Sequence, residues 1–156
     1  MSHHHDHEAL HGLDEDGVRD RLKKAGLRPT KQRIELATLL WSQGCRHVTA
    51  ERLHRESVDA NIKVSLATIY NTLHQFTTSN LLREVIVDRG CSYFDTNIDP
   101  HHHFLCEDTG ELSDIPHDQV EVKNLPAAPD GAVVSGVDVI IRIARKKTAA
   151  KQHAAH

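Results

Sequence analysis

The 156 residues carry 38% hydrophobic side chains, enough for a packed core in one domain or two small ones, and a formal net charge of -3. No apolar run approaches the roughly 18 residues of a membrane span, and the polar, histidine-rich start lacks the apolar centre of a signal peptide, so a cytosolic protein without membrane contact is expected. The three cysteines, Cys45, Cys91 and Cys106, form no CxxC pair, which points to reduced thiols and excludes a four-cysteine zinc site within one chain.

The small net charge hides a division. From Asp20 to Arg83 there are 11 Lys and Arg against 5 Asp and Glu, whereas Glu84 to Ile141 holds 2 against 12. The first half suits a polyanion and the second a cation, although ordinary solvated surface would also account for either.

In chain order, residues 1–12 include five histidines among acids without apolar periodicity, and read as a disordered tail. Leu13 to Ala25 reads as a helix, with Asp14, Glu15 and Asp16 at its start, Lys23 and Lys24 at its end, and Gly26 beyond. Thr30 then caps a second helix with an apolar seam of Ile34, Ala37, Leu40 and Trp41, closed by Gly44. Thr49 caps a short third helix with Leu53 inward, and Asn61 to Val64 reads as an extended connection. Ser65 caps a fourth helix to about Ser79, with Leu66, Ile69, Leu73 and Phe76 as its buried stripe.

The fourth helix's other face carries Thr68, Asn71, Thr72 and Gln75, with Tyr70 beside the stripe, and no Asp or Glu occurs from Ala60 to Arg83. That hydroxyl-and-amide face suits phosphates and base edges, in the second helix of a helix-turn-helix. A neutral amphipathic helix over a core is the plainer alternative. Leu82 to Val87 and Ser92 to Thr96, joined by Asp88-Arg89-Gly90-Cys91, follow as a hairpin and make a winged helix of the first 95 or so residues.

Phe104 to Cys106 and Leu112 to Ile115 flank a second hairpin turn, Glu107 to Gly110. Asp118 to Asn124 reads as one or two helical turns, Pro126 to Gly131 as a loop, and Ala132 to Ala144 as a long β-branched strand that a second subunit could cover. The end from Arg145 reads as a solvated basic tail.

Candidate chemistry centres on His101-His102-His103. If these begin a strand, alternation puts His101 and His103 on one face and His102 on the other. Asp95, at the end of the wing strand, and Asp114, near the end of the strand after the second hairpin, can approach the face of His101 and His103, giving nitrogen and oxygen donors for Fe, Mn or Zn. His47 falls between helices and reads on its own as a surface or capping group. No substrate-positioning constellation or general-base pair is visible, so no enzyme is expected.

Gly26-Leu27-Arg28-Pro29-Thr30 followed by Arg33, then His47-Val48-Thr49-Ala50-Glu51, Ser65-Leu66-Ala67-Thr68-Ile69-Tyr70, Tyr93-Phe94-Asp95 and the histidine run resemble, in that order, the ferric uptake regulator family. The resemblance implies an α+β fold. An N-terminal winged helix-turn-helix domain (13–97) is followed by a hinge (98–100) and a small α/β dimerisation domain (101–145) with an antiparallel sheet, the residues from 146 being a tail. It also implies a homodimer that binds operator DNA as a repressor, and a metal site between the two domains. The family's regulatory metal ligands fall on His47, Asp95, His101, His103 and Asp114, and two ligands of a further site on His102 and Glu121. Pro100 and Val137 stand where that further site has histidines. Cys106 with Thr109 replaces one CxxC pair, so a structural zinc held by four cysteines is not expected. DNA contacts are implied at Arg28 and Tyr70, and are expected also at Lys63, Ser65, Thr68, Asn71 and Gln75; Asn71 replaces an arginine common in the family.

Within the family, the run His101-His102-His103-Phe104 most resembles the iron response regulator branch, in which the triple histidine is implicated in haem binding. That implies a haem- and iron-responsive regulator of iron metabolism, with haem held at His101, His102 and His103 and releasing the dimer from DNA. The alternative is a direct divalent-metal (Fe, Mn or Zn) repressor using the five-residue set.

Overall fold

The computed structural model describes residues 13–88 and 91–146. The expectations for the tail 1–12 and for the residues from 147 onward lie outside the described residues. The chain divides into two compact units, residues 1–99 and residues 100–156.

In the first unit every helix starts on a side-chain oxygen supplied by the sequence. Asp14 accepts from the Gly17 N–H (2.8 Å) to open α1 (Glu15–Lys24), and Thr30 from the Arg33 N–H (3.2 Å) to open α2 (Lys31–Trp41). After the two-residue strand β1 (His47–Val48), Thr49 accepts from the Arg52 N–H (3.2 Å) at α3 (Ala50–Asp59), and Ser65 from the Thr68 N–H (3.1 Å) at α4 (Leu66–Thr78). α3 and α4 stop at Asn61 and Asn80, whose φ values of 57° and 59° are left-handed and turn the chain out of each helix.

These helices enclose one core of Val18, Leu22, Ile34, Leu36, Ala37, Leu40, Trp41, Leu53, Ile69, Leu73 and Phe76. The Trp41 and Phe76 rings stack with centroids 6.4 Å apart, and the Arg21 guanidinium lies 5.5 Å over Trp41. The expected stripe on α4 is present at Ile69, Leu73 and Phe76, and Leu66 packs against it half-buried. Thr72 is a correction: expected on the outer face, it is buried, 6% exposed, and its hydroxyl donates to the Thr68 carbonyl (2.9 Å). One turn back on the helix a carbonyl satisfies the hydroxyl, so the position can face inward.

β2 (Arg83–Asp88) and β3 (Cys91–Asp95) form the expected hairpin, and β1 pairs with the far side of β3, so the sheet order is β1-β3-β2 and all pairs are antiparallel. The β1 pairing sets His47 opposite Asp95.

In the second unit β4 (His102–Cys106) is central, flanked by β5 (Leu112–Ile115) and β6 (Ile140–Ile143). β5 is antiparallel to β4 and β6 is parallel to it, so the sheet is mixed where an antiparallel one was expected. Two further expectations change. The strand from Ala132 to Ala144 shrinks to Ile140–Ile143, because the five-residue β4 offers no longer ladder; Val133 and Val134 are exposed. The helical turns expected over Asp118–Asn124 reduce to a single 3-10 turn, His117–Gln119, after which Val120 is extended. The β-branched Val120 and Val122 disfavour continuation. No α-helix occurs among the described residues of this unit.

Candidate metal centre

In the first unit two candidate ligands face each other across the β1–β3 pair. Asp95 is fully buried, and one of its carboxylate oxygens accepts from the Asn97 N–H (2.8 Å). The other oxygen is thereby turned toward His47 Nε2, 3.0 Å away. The adjacent residues pin this geometry: the Arg46 N–H donates to Thr96 Oγ1 (2.8 Å) and the Thr96 N–H to the Arg46 carbonyl (3.1 Å).

In the second unit strand alternation does what the sequence pattern asks. His101 and His103 are buried on one face, 6% and 0% exposed, and their ring centroids are 4.4 Å apart. The β4–β5 register sets Asp114 opposite His103. A single oxygen of Asp114, Oδ1, lies 3.0 Å from His101 Nε2 and 3.4 Å from His103 Nε2.

These separations bear on what the donors can hold. Two donors each about 2.1 Å from one ion, subtending about 90–109°, sit about 3.0–3.4 Å apart. Both the His47–Asp95 spacing and the His101–Asp114–His103 spacings fall in that range. Within the second unit two imidazoles and a carboxylate form a borderline nitrogen–oxygen donor set, and within the first an imidazole and a carboxylate offer donors of the same kind. The residues therefore fit Fe, Mn or Zn.

The other candidate ligands are placed differently. His102 lies on the opposite face of β4, and its Nδ1 accepts the Val139 N–H (3.1 Å). A neutral imidazole accepting at Nδ1 carries its proton on Nε2, and with the backbone engaging Nδ1 that proton has no second ring nitrogen to move to. Glu121 is exposed and pairs with Lys123 (3.6 Å), and among the described residues no three-donor group contains His102 or Glu121. At Cys106, the Thr109 hydroxyl hydrogen-bonds the sulfur and lowers the thiol's pKa, so Thr109 stands beside the thiol where a second cysteine would.

The candidate DNA face lies on the first unit. Arg28, Lys63, Asn71 and Gln75 are exposed, and Ser65 and Thr68 join hydroxyls at 2.9 Å at the start of α4. Four contacts in this unit have no signal in sequence spacing. Arg33 donates to the Arg28 carbonyl (2.8 Å) and to Gln75 Oε1 (3.0 Å), tying the Arg28 turn to α4. Tyr70 donates its hydroxyl to Glu51 on α3; that bond lowers the Glu51 pKa and raises that of Tyr70. Arg46 forms a two-oxygen ion pair with Glu56. Only the complementary charges in the sequence could have suggested the last.

The sequence model of the ferric uptake regulator family matches residues 24–141. The ferric uptake regulation proteins of Vibrio cholerae and Shigella flexneri are each 33% identical to the chain, over 101 and 103 residues; the matches span 64% and 65% of this chain and 67% and 70% of those proteins. Among solved structures, the ferric uptake regulator from Pseudomonas aeruginosa with manganese superposes with a TM-score of 0.64 at 28% identity, covering 83% of this chain and 98% of that one. The Vibrio cholerae regulator superposes with a TM-score of 0.63 at 23% identity, over 81% and 98%.

Proposed function

The chain belongs to the ferric uptake regulator family, and from that premise we propose that it is a divalent-metal-dependent repressor that binds operator DNA as a homodimer in the cytoplasm. Members of this family are transcriptional regulators and not enzymes. No helix of the described residues is long and apolar enough to cross a membrane.

The observation that carries the metal reading is the convergence of buried His101 and His103 on one Asp114 oxygen, at 3.0 and 3.4 Å. His47 and Asp95, at 3.0 Å, complete the proposed five-ligand set. His47, His101 and His103 would offer ring nitrogens and Asp95 and Asp114 carboxylate oxygens to such a cation, which would balance the two negative charges. The protein's own part is to hold the donors ready. Asn97 and the β1–β3 register orient Asp95, while the β4–β5 register orients Asp114. The Pseudomonas aeruginosa relative solved with manganese supports a metal of this class.

The DNA-reading part is the first unit, as a winged helix-turn-helix domain with α3 and α4 as the helix pair and β2–β3 as the wing. Arg28 and Lys63 meet phosphates, and Ser65, Thr68, Tyr70, Asn71 and Gln75 line the groove-facing side. The second unit serves as the dimerisation domain, and the residues near Asp99 and Pro100 as the hinge.

Haem sensing, as in the iron response regulator branch, is a second reading, favoured by the run His101-His102-His103-Phe104 alone. One sample distinguishes the two: operator gel shifts with chelator, with added Mn2+, Fe2+ or Zn2+, and with haem followed by absorbance. Operator binding that needs the divalent ion and ignores haem is expected. Binding undiminished by chelator but abolished by stoichiometric haem would overturn the metal reading in favour of haem.

A further inference from the structure

We propose that Arg46 is a positioning residue that links the His47–Asp95 pair to the helices of the DNA-reading unit, so that a ligand held by that pair changes operator affinity through the Arg46–Glu56 contact. The inference rests on the metal-dependent reading above and names the connection within the first unit.

Arg46 has two sets of partners. Its backbone N–H and carbonyl both bond Thr96, so Arg46 and Thr96 form a clip beside the paired His47 and Asp95. Its side chain runs the other way. Nη2 donates to both oxygens of Glu56 on α3, at 2.9 and 2.7 Å, and Nη1 to the Leu39 carbonyl on α2 at 3.4 Å. The Arg46 side chain is 9% exposed and that of Glu56 24%, so water screens the pair little.

A planar guanidinium held at three points is a stiff strut, which the flexible point charge of a lysine cannot reproduce. Displacement of the backbone at His47 is therefore delivered to the last turns of α3. From α3 the path continues to α4, where Tyr70 donates its hydroxyl to Glu51. Burying an ion pair gives little net stability over apolar residues of the same size, so its use here is to fix α3 relative to the ligand strand.

The coupling is a free energy between two binding events, metal and operator. The full chain is compared as wild type, Glu56→Gln, Arg46→Lys and the apolar pair Arg46→Met with Glu56→Leu, the last preserving packing where a single change leaves a buried charge. Co2+ serves as the metal probe, its affinity read by absorbance. Operator affinity is read with and without saturating Co2+, on a duplex selected from a random pool by the metal-loaded wild type.

The expected result is a Co2+-induced gain in operator affinity that falls at least about fivefold in the variants, which is at the lower bound of typical coupling. Intrinsic Co2+ affinity in Glu56→Gln should stay near that of wild type, and circular dichroism should show the fold intact. A purely structural role would shift melting temperature and leave the gain unchanged. A wild-type gain well above one that is retained in the folded variants overturns the strut alone. A wild-type gain of one removes the metal-dependent reading, and the strut with it.

Discussion

Asp114→Asn isolates the charge of one candidate ligand from the shape of its site. Asp114 Oδ1 lies 3.0 Å from His101 Nε2 and 3.4 Å from His103 Nε2. An asparagine oxygen at the same place still accepts from one imidazole, so the apo fold should be kept. What is lost is a negative charge and a strong oxygen donor beside His101 and His103. Removing a partner that only orients a metal ligand typically weakens metal binding about 10–100-fold, or about 1.4–2.7 kcal/mol, and a direct ligand should lose at least that. Asp114 is partly exposed, so water replaces some of the lost donation and the effect should sit near this floor. The assay is competition of the protein against a chromophoric chelator for Zn2+ and Co2+, with a thermal melt of the apo variant to establish folding. A folded Asp114→Asn protein whose metal affinity stays within about twofold of wild type, far inside the floor, would refute the assignment of Asp114 as a ligand.

Other substitutions separate neighbouring roles. His102→Ala should leave metal affinity unchanged, because the His102 ring serves Val139, and should cost about 0.5–1.5 kcal/mol of stability for the lost hydrogen bond to Val139, the residue before β6, read by denaturant unfolding. Thr109→Val should raise the Cys106 thiol toward its ordinary value, since the Thr109 hydroxyl is the largest cause of its lowering; alkylation near neutral pH should slow and its pH midpoint move up. Tyr70→Phe should raise the Glu51 carboxyl. In the wild type the lowered Glu51 contributes stability above its unfolded pKa and loses it as pH falls through the folded value, so the difference between the two proteins should vanish at acid pH. Leu73→Ala, at a fully buried position on α4, should destabilise by about 2–5 kcal/mol in a urea melt.

Much of this fold is legible because its signals are local. Asp14, Thr30, Thr49 and Ser65 each announce a helix within three residues of the N–H they accept, and the two hairpins are announced by their turns. The alternation of His101 and His103 is likewise a property of three adjacent residues. What is not legible depends on distant partners. β6 could not be cut back to four residues without knowing that its neighbour β4 is short, and nothing in periodicity makes that neighbour parallel. Thr72 reads as polar and outward until its hydroxyl is seen bonded to Thr68. The links Arg33–Gln75, Tyr70–Glu51 and Arg46–Glu56 join residues 42, 19 and 10 positions apart, and charge alone does not choose such pairs from the many a sequence permits.

The three histidines that invite a haem reading are not equivalent in this fold. The most accessible, His102, has committed its Nδ1 lone pair to the Val139 N–H, so ligation at Nε2 first requires the other tautomer and the loss of that bond. His101 and His103 have their Nε2 atoms on a carboxylate, and both rings are buried. A small cation would take the place of the Nε2 protons, which leave or move to Nδ1, at donor separations already suited to bonds of about 2.1 Å. A porphyrin needs an open face on the ring it ligates, and the His103 ring is 0% exposed, so the groups packed over it would have to move. The two ligands thus make opposite demands on β4. A divalent cation at these donors would leave the β4–β5 register in place around Asp114, whereas haem ligated by the same residues would displace their surroundings, so the two would compete for this strand.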